Sequence, residues 1–514
     1  MNEIVVPARR ARGLRKSFEQ LRDDSAHHSL ARTLGAANLV FFGVGCTIGS
    51  GIFVLTGNAA ASFAGPAVLI SFIFAGLACG FAALCYAELA SAIPVPGSAY
   101  SYSYATLGEV AAWVTGWLMV LEYGIATSLV AVGFSGYATS FLHDVGITIP
   151  AAFSTPFLAS VQDGAQIVFT TGPRINAVAA AGVLVATALL TRGVSFSAAV
   201  NSVIVLLKVG VLVAFVAVGI LWIEPHNWTP FIPPNEGGFA YGWAGIFRAA
   251  STIFFAYVGF ETVSTAAAEA RNPQRDMPIG VLGSMLICTA LYISVAAVLT
   301  GVVPFRKLGV PDPIAVAVNA MGLPWFAALV KIGAIIGLCS VLLTTMYGQT
   351  RVFYAMARDG LLPPTFARIH ASSRTPLLGT LIVGGTVALA AALLPITILS
   401  DLVSLGVALS FVMVCLSVIW LRNTQPQLPR PFRVPFGGVR VRGVWLGVTP
   451  ILGIVFCSLM IVPLVLDVAG KAVHGNALPA ILFLGYALIG AAVYIFYSRR
   501  HSLLRKRIAD DDRR

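Results

Sequence analysis

The chain has 514 residues, 58% of them hydrophobic and only 11% charged, and its mean hydropathy is +0.86. A soluble domain carries about 25% charged residues, so this composition excludes one and indicates a chain that crosses a bilayer repeatedly. The net charge of +12 raises nucleic acid as a partner, but the placement of the basic residues excludes that too.

Apolar runs of roughly 17–30 residues, the length a spanning helix needs, recur along the whole sequence. Twelve spans are expected, at 36–62, 66–93, 108–141, 176–191, 197–223, 244–269, 279–303, 324–356, 376–394, 399–421, 445–466 and 478–498. With the N-terminus in the cytoplasm, 26 of the 33 Lys and Arg fall on that side. They lie in the tail ending at Arg32, at Arg192, Arg271 and Arg275, between Arg351 and Arg374, between Arg422 and Arg442, and in the C-terminal tail. The opposite loops hold Arg174, Arg306, Lys307 and Lys471. This is the positive-inside pattern, and it places both ends in the cytoplasm. The first 30 residues are polar and carry no cleavable signal. All seven cysteines (Cys46, Cys79, Cys85, Cys288, Cys339, Cys415 and Cys457) fall within expected spans, without disulfide or metal-ligand spacing.

The first span contains Gly43-Val-Gly-Cys-Thr-Ile-Gly-Ser-Gly51, four glycines in nine residues, with Cys46 inside the run. Small residues at this density serve close helix packing or a break in the helix. A break in lipid survives only against protein or a water-filled cavity, so it suggests a site built from free backbone groups. The third span buries Glu122 about fifteen residues deep. It could face substrate, relay a proton, or bond a neighbouring helix. The fifth buries Lys208 about twelve residues, roughly 18 Å, from its cytoplasmic end, beyond easy snorkelling. Desolvation favours the neutral amine, so Lys208 could gain and lose a proton within a cycle; the bland reading is a permanently charged structural lysine.

The sixth span places Gly259 and Glu261 inside an apolar run flanked by aromatics. A carboxylate there costs roughly 2.5–3.5 kcal/mol and needs a partner or water. Glu261 reads as structural or gating rather than as a substrate ligand. Spans one and six hold equivalent places in two five-span units, and an odd number of spans inverts the second unit. Interrupted helices at matching positions of inverted halves mark a secondary transporter with its site at mid-membrane. The division is a tail at 1–33, repeats at 34–223 and 244–421, a peripheral pair at 445–498 and a tail at 499–514. Arg248 and Lys331 lie near span ends and read as snorkelling. Glu88, Glu269, Arg271 and Arg358 read as inner-gate or loop ion pairs, each contributing about 0–1 kcal/mol if exposed.

Four stretches resemble the amino acid–polyamine–organocation superfamily, and within it the bacterial members of the cationic amino acid transporter family. They are Gly43 to Gly57 (GVGCTIGSGIFVLTG), Tyr86 to Tyr104 (YAELASAIPVPGSAYSYSY), Phe255 to Gly280 (FAYVGFETVSTAAAEARNPQRDMPIG) and Tyr347 to Leu362 (YGQTRVFYAMARDGLL). Ala31-Arg-Thr-Leu-Gly35 fits the same family, and the likeness runs from about residue 14 to 500. It implies an all-α polytopic membrane protein of the leucine-transporter fold, a five-plus-five inverted repeat with two peripheral helices, in a bacterial inner membrane.

A free amino acid presents a carboxylate and an ammonium. The N–H groups of a resumed half-helix suit the anion, which places Thr47, Ile48, Gly49, Ser50 and Gly51 at the carboxylate. Carbonyls around Phe254, Phe255, Ala256 and Val258 suit the ammonium. The resemblance implies the same division. It also implies that Phe255 closes over substrate from outside, where the plainer reading is a core aromatic. It implies further that the Lys208 ammonium stands where sodium-coupled relatives hold a sodium ion. Protonated, Lys208 is expected to bind carbonyls near Val44 and Gly45 and a hydroxyl of the eighth span such as Ser340.

No GxxxxGK[ST], HExxH or GxSxG motif occurs, which argues against an ATPase or a membrane enzyme. A channel needs repeated polar rings, and no loop is long enough for the extra domain of a sensor. The expected function is proton-coupled uptake of neutral amino acids, with arginine, lysine or ornithine as the alternative. No cofactor or metal is expected. The family precedent also admits a small single-span membrane partner.

Overall fold

A computed structural model describes residues 34–93, 98–163, 166–193, 198–370, 375–506 and 508. The expected tail 1–33, residues 94–97 of the second motif, Arg374 and most of the final eight residues lie outside the described residues. Among those described, nine helices are long and apolar enough to cross a membrane, and three shorter apolar ones accompany them. We label the helices used here α1 (Ala36–Thr47), α2 (Val68–Ala92), α3 (Ser98–Thr106), α4 (Glu109–Met119), α5 (Ala126–Asp144), α6 (Ala177–Thr191), α7 (Ala198–Gly219), α8 (Gly242–Ile253), α9 (Pro273–Val302), α10 (Pro324–Arg358), α11 (Leu377–Leu393), α12 (Ile396–Thr424), α13 (Val448–Val473) and α14 (Leu478–Val493). Two antiparallel hairpins join them: β1 (Leu158–Asp163) with β2 (Gln166–Thr171), in a loop without an expected element, and β3 (Gly438–Val441) with β4 (Val444–Gly447), which takes the first residues of the span expected at 445–466, so that helix starts only at Val448.

Most helices of this set are apolar on nearly all sides, so packing rather than amphipathicity decides which face is inside; the Ser- and Tyr-rich α3 and the amphipathic α8 are exceptions. Helices α1, α2, α8 and α9 pack together, while α5, α6, α10 and α11 form a second group. Helix α7 touches α1, α9 and α10 and so lies between the groups, and α12 runs along α2, α3, α4 and α8. Helix α14 stands most apart: Leu484 and Leu488 are about two-thirds exposed, as side chains facing lipid would be.

Three aromatics fasten the first group. Phe72 of α2 packs edge-on against Tyr257 and beside Tyr292 of α9, with ring centroids 6.4 and 5.9 Å away. Buried Tyr hydroxyls need partners: Tyr257 donates to the Phe72 carbonyl at 2.9 Å, and Tyr292 to the Thr47 carbonyl at 2.9 Å. The second bond ties α9 to the end of α1, where the chain leaves the helix.

Candidate functional site

Helix α1 stops at Thr47. Ile48 is extended (φ −73°, ψ 102°) and its N–H bonds to the Val44 carbonyl at 3.0 Å. Helix resumes at Gly51 in a wide, π-type turn through Leu55. The leading N–H groups of a resumed helix have no carbonyl one turn before them, so Gly49 to Gly51 present donors where the sequence put the carboxylate.

The second interruption follows α8. Phe254–Tyr257 is a tight 3₁₀ turn, Val258 is extended, and Gly259 adopts φ 128° before a further 3₁₀ run from Phe260 to Glu269. Of the four carbonyls assigned to the ammonium, that of Phe255 is already taken by the Val258 N–H at 2.9 Å. The Phe254 carbonyl is engaged too, as the acceptor of the 3₁₀ turn that closes on Tyr257, so those of Ala256 and Val258 remain the better candidates. Phe255 itself is 6% exposed, and Phe254 packs against Phe411 of α12 at 5.6 Å.

The two interruptions touch. A Cβ on Gly51 would lie 2.3 Å from the Ala256 Cα, and one on Gly259 would lie 2.5–2.6 Å from the Cys46 and Thr47 backbone. The glycine run therefore divides by task. Gly43 and Gly45 serve close packing, against Ser284 of α9 and Val205 of α7, as the small-residue reading supposed. Gly51 lets the broken segments meet.

Lys208 is fully buried on α7 and donates to the carbonyls of Gly45 and, at 3.0 Å, Ile48. The Gly45 contact agrees with the sequence reading and the other partners are corrected. Val44 is not a partner because its carbonyl receives the Ile48 N–H. Ser340 turns its hydroxyl back to the Gly337 carbonyl at 2.8 Å. What α10 offers Lys208 is Gly337, whose missing side chain lets the lysine stem lie alongside. The Ile48 carbonyl is available because the helix breaks there, so the lysine reads the break directly.

Glu122 sits in a π-type segment, Val120–Ile125, between α4 and α5. Such segments interrupt helical bonding and recur at functional sites; periodicity alone did not reveal it. Glu122 is fully buried beside Glu261 and Ser410, yet among the described residues neither of its oxygens nor the Ser410 hydroxyl is hydrogen-bonded. Glu261 agrees with its structural reading: it accepts the Gly259 N–H at 2.8 Å and lies 3.5 Å from the Tyr123 hydroxyl. The Gln349 amide of α10, also buried without hydrogen bonds among the described residues, faces Gly124; the sequence analysis did not single it out.

The snorkelling reading of Arg248 is wrong. Its side chain is 1% exposed, its Nη2 reaches both Asp401 oxygens at 2.8 Å, and its Nε reaches Asp467 at 2.9 Å. Asp401 and Asp467, acids within apolar runs, were the signal that could have revealed this. Lys331 also pairs, with Asp144 at 2.5 Å. Glu88 is in an ion pair as expected, though fully buried rather than exposed. It accepts both Arg422 Nε (2.8 Å) and Nη2 (2.5 Å). Leu34 forms a parallel bridge to Ala270, through the Glu269 carbonyl and the Arg271 N–H, so those two residues act here through their backbones. The Arg358 guanidinium lies over the Tyr354 ring. Among the described residues no cluster of metal-ligating side chains occurs.

Two interrupted helices meeting inside an apolar helical bundle, with a buried lysine bonded to one of them, make the architecture of a multi-pass membrane transporter. The sequence profile of the amino acid permease family matches residues 34–491, and the chain belongs to that family, within the amino acid–polyamine–organocation superfamily. It is 42% identical to the methylthioribose transporter of Bacillus subtilis over 96% of this chain and 99% of the relative. It is equally similar, 42%, to the branched-chain amino acid permease of the same organism, over 95% and 98%. A vacuolar cationic amino acid transporter of Arabidopsis thaliana is 38% identical over 80% of this chain and 66% of the relative. These proteins are transporters and not enzymes.

Proposed function

We propose that the chain imports neutral L-amino acids into the cell by alternating access, driven by protons. The observation that carries this reading is the contact between the two interruptions. It sets free N–H groups near Gly49–Gly51 within reach of free carbonyls at Ala256 and Val258, the complement of an amino acid's two charged ends, with Phe254 and Phe255 lining the turn that presents them. Phe255 closes this site on the outer side. Lys208, protonated, holds the Gly45 and Ile48 carbonyls; losing its proton releases them and loosens the break.

In this reading twelve helices cross the inner membrane with both ends in the cytoplasm. Repeats 34–223 and 244–421 are inverted with respect to one another, helices at 445–498 are peripheral, and a small single-span subunit is a compatible partner. Similarity to a branched-chain amino acid permease supports neutral substrates. Cationic substrates form a second reading, favoured by the buried, unbonded Glu122 and by the cationic transporter among the relatives.

Purified protein in proteoliposomes tests both, with a panel of neutral and basic amino acids and an imposed proton gradient. Neutral uptake that rises with an inward gradient supports the proposal; uptake that requires sodium and ignores the gradient refutes it. Glu122→Gln separates the substrate classes. Leucine uptake is expected to stay within about threefold of the parent. A loss of arginine uptake of about tenfold or more, the 1.4 kcal/mol that one charge-assisted contact supplies, would instead favour a basic substrate, and the same loss of leucine uptake a proton relay through Glu122.

A further inference from the structure

Helix α12 is ion-paired at both ends, to two different members of the group that carries the interruptions. Near its start Asp401 holds Arg248 of α8, the helix that runs directly into the second interruption. The Ser404 hydroxyl adds a bond to the Thr252 carbonyl of the same helix at 3.3 Å. Arg248 also binds Asp467 of α13, which Lys471 bonds in turn at 2.8 Å. Near the other end Arg422 holds Glu88 of α2, and its guanidinium lies 4.3 Å from the Trp445 ring centre. The Val434 N–H (2.7 Å) and Arg430 complete the shell around Glu88. From Asp401 to Arg422 a helix rises about 30 Å, the thickness of the hydrocarbon layer. The two pairs therefore stand at opposite faces of the membrane.

Both pairs are shielded from water: side-chain exposures are 1% and 9% for Arg248 and Asp401, and 15% and 0% for Arg422 and Glu88. Separating buried charges is costly unless water reaches them, so each pair can part only when its own face opens and hydrates. Packed helices switch between discrete arrangements rather than deforming continuously.

We propose that α12 is a rocker carrying two latches, Arg248–Asp401 on the outer face and Glu88–Arg422 on the inner, of which a transport cycle opens one at a time. With both engaged, as here, the site is closed from both sides. Asp467 and Lys471 make α13 the anchor of the outer latch, so a helix outside the repeats takes part in gating. The assignment of outer and inner faces rests on the orientation proposed above.

The test uses single added cysteines at Asn58, beside the outer latch, and at Ala92, one turn beyond Glu88, in full-length protein in membrane vesicles of known orientation. A membrane-impermeant thiol reagent is applied to each face in turn, and each cysteine is compared with the protein lacking it. Asp401→Asn is expected to raise labelling at Asn58→Cys about fivefold and lower it at Ala92→Cys. Arg422→Lys, which keeps the charge but loses the two-pronged contact, is expected to do the reverse. If Asp401→Asn does not fold, Asp401→Glu is expected to shift labelling less, in the same direction. Shifts of the same sign at both positions, or none in a folded variant, would overturn the two-latch scheme. Labelling needs no substrate, so this result stands apart from the uptake assay. Reversal of the labelled face for both variants would refute the orientation and leave the latches intact.

Discussion

Lys208→Ala is expected to abolish proton-driven uptake while leaving a folded protein. The side chain donates to two carbonyls, those of Gly45 and Ile48, and nothing else found in the structure replaces it there. Each buried carbonyl left without a donor costs about 1–3 kcal/mol, a loss that a membrane protein with total stability of roughly 5–15 kcal/mol survives. Transport is another matter. The Ile48 carbonyl is free only because α1 stops at Thr47, and the lysine is the group that fixes the chain through that stop. Without it the N–H groups from Gly49 onward lose their alignment, and on the proposed coupling the amine that carries the proton is gone. Monodisperse protein with uptake down by about 100-fold or more, the equivalent of about 2.8 kcal/mol, is the predicted pattern. Full gradient-driven uptake by the alanine variant would exclude Lys208 from coupling.

Gly259→Ala and Gly51→Ala are expected to abolish uptake by forcing the two interruptions apart. At Gly259 two penalties coincide. The φ of 128° is one that L side chains rarely adopt, a strain of about 1–3 kcal/mol. The added carbon also falls 2.5 Å from the Cys46 and Thr47 backbone, which cannot rotate away as a side chain tip could. Gly51 lacks the backbone strain but meets the Ala256 Cα at 2.3 Å, and overpacking of this kind costs typically about 1–3 kcal/mol. Either substitution pushes the interruptions apart, so uptake should vanish and the thermal midpoint of the detergent-solubilised protein should fall. Gly485→Ala on α14, where nothing lies within 4 Å of the new carbon, is the matched control and should behave as the parent. Parent-like uptake by both site variants would mean that the interruptions need not touch.

These contrasts show what a sequence of this kind discloses. Apolar length marked the helices, because a bilayer leaves few alternatives for apolar stretches of that size. The interruptions were legible because glycine and a deep carboxylate are costly there, so their presence demanded an explanation. Lys208 stood out for the same reason. Pairing was not legible. Arg248 alone looks like a residue reaching for the surface; only three-dimensional proximity to Asp401 and Asp467, 153 and 219 residues onward, shows where its charge is met. Backbone accounting was equally hidden: that Ile48 rather than Val44 offers its carbonyl to Lys208 depends on where α1 ends, within a single residue. The Ser340 expectation failed similarly, since a helical hydroxyl can always turn to its own backbone.

The π-type segment Val120–Ile125 has a consequence for how this region tolerates change in length. It holds one residue more than an α-helix would use to cover the same rise. In a regular helix, losing a residue turns everything beyond it by about 100°, and every contact of α5, including the Tyr137 hydroxyl on the Phe53 carbonyl, would be misdirected. Within Val120–Ile125 the surplus can be given up instead, and α4 would continue into α5 as one regular rod with Tyr137 still in place. The helix thus stores a spare residue beside Glu122. Shortening the chain there would reshape the wall around that carboxyl while leaving the rest of the bundle in phase.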